Sequence, residues 1–507
     1  MKKIFVTLLI CALGLASIYA EGKQEEAPTA YRFVATHSWD LAQGRIDFEK
    51  QPADPYFQWV EKKLGIVPQS YCYDWDGGKG YIEGIRLLLV SGVLPEAIIE
   101  PFELPFVKEL YDMGVLIPLD DLVYEHAPDV MALFTESDLQ IIRSLTPDGK
   151  IYYLPNKTRV PYVGLIRKDW LKAVGKDIPK TRDELIAVYK AFKNQDANGN
   201  GDPNDEIPVS GRQGMRWCDD LFVMHGVHMH EGHPLWSWDA EKKQMISHQV
   251  SENMKMAIEF IRYLVAEGLM DRVMPIQPMN DWFAKLAADK IGHYFHTIGG
   301  IERRLAMRES GENPDAEWVY LPNVAVPGIP HQKNFYPGTG VPQLVITTAA
   351  KHPEKILQWF NWNLTPEGVT YNRLGIEGVN YKVEGGKFIT EGFPVKQRYS
   401  YSHELAEEDE QYFLQSRYGE MKAAIYRACI NDARDKDDAG MPLSIFEDYE
   451  DYIPSEARLY REYCSKMVLG ELPMSAWDEY VKKWHERGGD VVTKRATDWY
   501  KKVHNIK

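Results

Sequence analysis

The sequence predicts an α/β protein of more than one domain with a helical C-terminal region. Three observations lead there. Short apolar segments of strand length alternate with amphipathic helical segments, the pattern that builds a mostly parallel sheet flanked by helices. Several helical segments end on a glycine, which adopts the left-handed conformation at a helix end without steric penalty. A length of 507 residues exceeds what one hydrophobic core ordinarily organises.

The N-terminus reads as a targeting segment. Lys2 and Lys3 precede an apolar run from Ile4 to Ile18, closing on Ser17-Ile18-Tyr19-Ala20 before a charged stretch. Charge, then an apolar run, then small residues is the order of a secretory signal, placed at 1–20, and the run is too short to span a bilayer. A lipid anchor on Cys11 is disfavoured because Ile10 stands where a small residue is expected. Residues 21–30 read as a flexible leader.

The first strand is read at Tyr31 to Ala35, with Thr36, His37, Ser38 and Trp39 beyond its carboxyl end. Ligands gather at such strand ends in open α/β sheets, so Trp39 is a candidate contact, a packing tryptophan being the alternative. Asp54-Pro55 opens a helix that stops at Gly65. Further helices run from Tyr81 to Ser91, ending at Gly92, and from Pro105 to Met113, stopped by Gly114, with a buried strand at Ala97 to Ile99 between them. The extended pieces Gly149 to Pro155 and Pro161 to Ile166, separated by polar Asn156 to Arg159, have the form of a chain crossing between lobes.

Thr181 and Glu184 form a capping box for a helix whose apolar face carries Leu185, Val188, Tyr189 and Phe192. That helix enters the stretch Asp196 to Glu206, D-A-N-G-N-G-D-P-N-D-E. Oxygen-bearing side chains alternate around Gly201, which suits a hard cation needing six to eight oxygens. Asp196, Asn198, Asn200, Asp202, Asp205 and Glu206 are the candidate ligands of a structural Ca2+. The twelfth position, which takes a bidentate Glu in an EF-hand, is Ile207, so the second half is a variant. An Asx-rich turn is the alternative. Extended Ile207-Pro208-Val209 follows, making this half an EF-hand and a structural ion site in preference to a sensor.

From Trp217 to Trp238 the chain is polar and aromatic, with Asp219, Asp220 and four histidines at 225, 228, 230 and 233. The histidine spacing permits zinc, but a solvated loop or ligand rim is the favoured reading, as no HExxH motif or nearby cysteine supports a metal. Beyond it come a helix from Ser251 to Glu267, a helix from Asp281 to Asp289, strands at Ile291 to Phe295, Trp318 to Ala325 and Gln343 to Thr347, and a helix from Pro353 to Asn363. The tail beyond Ser402 is helical, ending in Ala476 to Arg487 and Val491 to Val503.

Composition excludes some classes. With 59 Lys and Arg against 74 Asp and Glu, the net charge is −15, which argues against nucleic acid as partner. After the signal no apolar run reaches the length of a membrane span. Cys72, Cys218, Cys429 and Cys464 lack paired spacing, so nothing demands a disulfide.

An ordered set of short motifs adds to this. It comprises Ser91-Gly92 with Pro95-Glu96, Leu116-Ile117-Pro118-Leu119-Asp120, Gly149-Lys150-Ile151-Tyr152 with Pro155, and Arg167 with Asp169-Trp170-Leu171. It continues with the Asp196 loop and Asp205-Glu206-Ile207-Pro208, Glu267 to Asp271, Gly375 to Tyr381, and Trp477 with Tyr480. In these motifs, which span almost the whole chain after the signal, the sequence resembles the extracellular solute-binding proteins, family 1, that serve ATP-driven (ABC) sugar importers. More narrowly it is similar to their calcium-loop subgroup of oligosaccharide binders. It departs from them at Pro203-Asn204, a one-residue insertion that puts the sixth metal ligand in question.

The resemblance implies a two-lobed periplasmic-binding-protein fold (type II-like) with a ligand cleft between the lobes and closure by hinge motion. Lobe one would take 31–157 and 318–364, and lobe two 158–317 with the calcium loop away from the cleft. Residues 365–507 would belong mostly to lobe two. The implied function is binding an oligosaccharide outside the membrane and presenting it to the transmembrane subunits of an ABC permease. The protein would be a monomer, periplasmic or extracellular. Sugars present an apolar face and a fringe of hydroxyls, so Trp39, Trp217, Asp219, Tyr294, His296 and Tyr336 are the candidate contacts. Two other readings stay open. One is a secreted carbohydrate-active enzyme using Asp219, Asp220 and Glu302. The other is a binder of a peptide or other solute, since fold does not fix ligand.

Overall fold

The structure, a computed structural model, describes residues 30–39, 49–74, 79–99, 104–155, 162–298, 312–333, 342–394, 418–432 and 456–506. The signal segment, the leader, Glu302 and Tyr336 lie outside them. In chain order the strands are β1 (Tyr31–Trp39), β2 (Ile66–Asp74), β3 (Ala97–Ile99), β4 (Leu154–Pro155), β5 (Tyr162–Arg167) and β6 (Ile207–Val209). There follow the small hairpins β7 (Met229–His230) with β8 (His233–Pro234) and β9 (Trp236–Asp239) with β10 (Gln244–Ser247). Then come β11 (Ile291–Thr297), β12 (Trp318–Leu321), β13 (Pro342–Ile346) and a last hairpin of β14 (Lys382–Glu384) with β15 (Lys387–Ile389).

Two main sheets divide the chain into two lobes. One has the order β2-β1-β3-β13-β4, the other β12-β5-β11-β6. Each has its own apolar core. The first packs Phe33, Val67, Ile98, Phe106 and Leu344 with helices that include Pro353–Trp362. The second packs Trp170, Tyr189, Phe222 and Ile261 with the C-terminal helices, while Tyr162, Trp282 and Tyr294 cover its other side. The chain crosses from the first sheet to the second between β4 and β5.

Both sheets are mixed, and the expected parallel character holds only in part. The pairs β1–β2, β1–β3 and β6–β11 are parallel, but β13 runs antiparallel to β3 and β4, and β5 runs antiparallel to β11 and β12. The antiparallel partners are strands at which the chain enters or re-enters a lobe, so their direction is set by the crossing, not by a β-helix-β unit.

The expected return to lobe one at Trp318 is corrected. β12 pairs with β5, with Trp318 opposite Arg167, and Ala325 exchanges backbone bonds with Lys180 and Arg182 at 2.8 and 3.0 Å. The chain is therefore still part of the second lobe at Ala325, and it has rejoined the first sheet by Pro342. The region after 365 is also split. Tyr371, on the Pro366–Leu374 helix, is buried in the first core, whereas helices Glu456–Leu469 and Ala476–Glu486 carry Tyr460 and Trp477 into the second.

Candidate functional site

The parallel pairing of β6 with β11 brings their carboxyl ends to one edge, and the antiparallel β5 begins at that same edge, Thr297 facing Tyr162. Ligand contacts in such sheets sit at this edge. The chain leaving β6 folds back on itself there, Arg212 and Arg216 exchanging backbone bonds at 3.0 and 3.2 Å. A Cβ on Gly211 would lie 2.5 Å from the Arg216 carbonyl oxygen, and one on Gly232 would lie 2.4 Å from the Gly214 carbonyl oxygen. Only glycine permits these approaches. Met215, Trp217 and Glu231 all adopt positive φ (60°, 64° and 48°), a region costly for residues with a side chain and concentrated at functional sites.

Four rings close on one another at this edge. Trp217 stacks on His296 with centroids 4.0 Å apart and planes within 14°. His296 lies parallel to Tyr294 at 5.8 Å, Tyr294 to Trp282 at 5.1 Å, and Trp282 to Trp217 at 6.5 Å. Trp217, Tyr294 and His296, chosen from sequence, are thus brought together, all of them buried. Tyr162 was not chosen, yet it stacks on Trp217 at 6.1 Å. Its hydroxyl is 3.0 Å from His230 Nε2 and donates to Glu231 Oε1 at 3.2 Å. Its position as first residue of the strand that leaves the crossing was the available signal. Arg212, buried, places its guanidinium carbon 6.0 Å from the Trp217 ring centre.

Asp219 belongs to the same region but faces inward. Its Oδ1 accepts the Gly232 N–H at 2.9 Å, and burial pushes its carboxyl up to about 8. Asp220 pairs with His293 Nε2 at 2.8 Å, and the other ring nitrogen of His293 bonds the Tyr189 hydroxyl. Asp219 and Asp220, two of the three carboxylates named for an enzymatic reading, are therefore engaged within the fold, and the third, Glu302, lies outside the described residues. Trp39 is the last residue of β1, not part of a following loop, because β1 pairs with β2 along its whole length, Trp39 opposite Asp74. Its side chain, like all of Tyr336, lies outside the described residues.

The histidine-rich stretch is not a solvated loop. Residues Cys218 to Val227 run through the second core, and the four histidines diverge. His225 Nδ1 bonds the Leu221 carbonyl at 2.9 Å, His228 stacks on His248, His230 meets Tyr162, and His233 is 3.0 Å from an Arg461 guanidinium nitrogen. Burial, then Arg461 and Arg216, pushes His233 down to about 3. Among the described residues no three His, Cys, Asp or Glu side chains converge to hold a metal. Cys72, Cys218, Cys429 and Cys464 form no disulfide among the described residues.

The Asp196–Glu206 loop is ordered by its own side chains. Asp196 Oδ2 accepts the Gly201 N–H at 2.9 Å, Asn200 Oδ1 accepts that of Asp202 at 2.7 Å, and Glu206 Oε1 accepts that of Ala197 at 2.8 Å. Asp196 Oδ1 and Glu206 Oε2 are left buried without a hydrogen-bond partner, and burial pushes the Glu206 carboxyl up. Asp205 instead takes the Asn198 and Asn200 amide groups at 3.2 and 3.1 Å and Lys290 Nζ at 3.3 Å. The loop ends where β6 begins, at the opposite end of that strand from the Trp217 turn.

A family model for bacterial extracellular solute-binding proteins matches residues 73–370, more than half of the chain. The chain belongs to that family. Among solved structures, this solute-binding protein is similar to the substrate-binding protein FusA of Streptococcus pneumoniae in complex with kestose, with a TM-score of 0.70 and 22% identity over 94% of this chain and 100% of that one. It is also similar to alginate-binding protein AlgQ2 without calcium ion, with a TM-score of 0.68 and 17% identity over 94% and 98%. These matches establish the two-lobed fold. In sequence it is 29% identical to the fructooligosaccharide transporter protein FusA over 64% of this chain, a match that spans 61% of that relative's length. It is 21% identical to the polygalacturonan/rhamnogalacturonan-binding protein YtcQ of Bacillus subtilis over 98% and 99%. No described helix of this solute-binding protein is long and apolar enough to cross a membrane.

Proposed function

We propose that this solute-binding protein takes an oligosaccharide between its lobes and delivers it to the membrane subunits of an ABC importer. The observation that carries the reading is the aromatic group at the carboxyl edge of the second sheet, where Trp217, His296 and Tyr162 are held by a turn of positive-φ residues. Sugar rings stack on such faces, and His230, Glu231 and Arg212 beside them supply polar groups for hydroxyls. Two relatives are named for carbohydrates, one for fructooligosaccharide and one for polygalacturonan/rhamnogalacturonan. Trp39, in the sheet of the first lobe, and Tyr336 remain proposed contacts. The lobes close by hinge motion, the protein acts as an exported monomer, and it performs no chemistry on its ligand.

We also propose that the Asp196–Glu206 loop holds calcium. The two orphaned carboxylate oxygens of Asp196 and Glu206 fit a hard cation, with Asn198, Asn200, Asp202 and Asp205 as the further candidates. An EF-hand mutant of FusA is among the similar structures. The ion neutralises and pins the loop.

The test is isothermal titration of the purified protein with neutral fructooligosaccharides and with oligogalacturonides, in calcium and after chelation. Saturable binding of either series with no loss of the oligosaccharide supports the reading. Turnover would assign an enzyme, and binding of peptides alone would refute the sugar reading.

A further inference from the structure

We propose that the C-terminal helix Gly489–Val503 is a strap that sets the angle between the lobes, so that ligand affinity depends on a contact remote from the ligand. The helix is rooted in the second lobe. Val492 and Ala496 lie in that lobe's core, Thr497 Oγ1 accepts the Met245 N–H at 3.0 Å, and Tyr500 stacks on Trp238 at 4.7 Å. The neighbouring residue reaches the first lobe. Trp499 is buried together with Val503 against Ile141 of the helix Glu136–Arg143, which belongs to the first lobe through Ile142 and Leu145.

The contact is directional as well as apolar. Trp499 Nε1 donates to Ser144 Oγ at 3.0 Å. Ser144 spends its own proton on the Ile141 carbonyl at 2.7 Å, which leaves its oxygen as an acceptor for the indole. The first-lobe helix is itself fixed by a capping box between Thr135 and Asp138. A helix from each lobe therefore meets the other in a contact made by residues that are not part of the β4–β5 crossing. Hinge rotation must break or re-form that meeting, and any contact present in one conformation and absent from the other biases their populations. Apparent affinity scales with the fraction of molecules in the binding-competent conformation.

The experiment has two arms. Spin labels at Tyr124→Cys in the first lobe and Met256→Cys in the second, both exposed positions, placed in a Cys72→Ser background, report the interlobe distance without ligand. Trp499→Ala should shift or broaden that distribution, and Trp499→Phe and Ser144→Ala, which remove mainly the hydrogen bond, should do so less. The second arm rests on the proposed sugar binding. There Trp499→Ala should change the dissociation constant of the oligosaccharide that binds by about tenfold, in the direction set by which conformation the strap favours. A folded Trp499→Ala protein with an unchanged distance distribution overturns the proposal. If Trp499→Ala does not fold, unchanged distributions in both conservative variants overturn it equally. Because the first arm uses no sugar, failure of the sugar reading leaves it decisive.

Discussion

The Asp219 carboxylate, 2% exposed, accepts the Gly232 N–H at 2.9 Å and so joins the turn around Trp217 to the turn that presents His230 and Glu231. Burial pushes its carboxyl up to about 8. The folded protein then holds a proton that the unfolded chain releases near pH 4, so this group contributes stability below about pH 4 that is lost as pH rises toward 8. His225 works in the opposite sense. Pushed down to about 4 by burial, it contributes stability above about pH 6.5 that is lost on acidification toward 4. His233 and His504, also pushed down by burial, act in the same sense as His225, and their unfolded imidazoles finish losing protons about one unit above pH 6.5, so the aspartate dominates between about pH 7.5 and 8. In that window the melting temperature should fall with pH, and Asp219→Asn should flatten the slope. An unchanged slope would mean that Asp219 is ionised throughout.

Trp217→Ala should weaken oligosaccharide binding by at least about tenfold, or ~1.4 kcal/mol, because it removes the ring on which both Tyr162 and His296 stack. Trp217→Phe should retain part of the affinity. Titration calorimetry distinguishes this from a fold defect when the melting temperature is followed in parallel.

Chelation should lower the melting temperature, since an ion bound only to the folded state stabilises it. Asp196→Ala should reproduce the loss and make the protein insensitive to the chelator. Sugar affinity should change little, because the loop and the Trp217 turn lie at opposite ends of β6. Equal melting curves with and without chelator would leave the loop as an Asx-rich turn.

Arg167 is fully buried, paired with Asp289 and Asp169 and lying 4.9 Å from the Trp170 ring centre. Asp289→Ala should cost about 3 kcal/mol, the penalty for breaking a buried ion pair from one side. Denaturant unfolding would measure it. A loss below about 1 kcal/mol would show that Asp169 alone satisfies the guanidinium.

Much of the fold was legible because its signals are local. Gly65, Gly92, Gly114 and Gly268 each follow a predicted helix and each adopts positive φ. The helix after Thr181 buries Leu185, Val188, Tyr189 and Phe192, as its periodicity required. β2 was missed because Pro68 interrupts a run that otherwise reads as a strand. The proline is tolerated because β2 lies at the edge of its sheet. The sheet to which β12 belongs could not be read, since pairing across about 150 residues leaves no local trace. In the site, aromatic content and strand ends pointed to Trp217, Tyr294 and His296. The inward turn of Asp219 and the role of Tyr162 depend on contacts between segments that only the fold brings together.

β6 has three residues, with the Asp196–Glu206 loop at one end and the Trp217 turn at the other, the two places where calcium and sugar binding are proposed. At about 3.3 Å per residue the two places lie roughly 10 Å apart. An insertion or deletion inside the strand would turn every side chain to the other face, whereas substitutions in the turn after it, Gly211 and Gly214 excepted, leave the register undisturbed. Such substitutions in 212–217 therefore reshape the turn while β6 and the Asp196–Glu206 loop before it keep their alignment in the sheet.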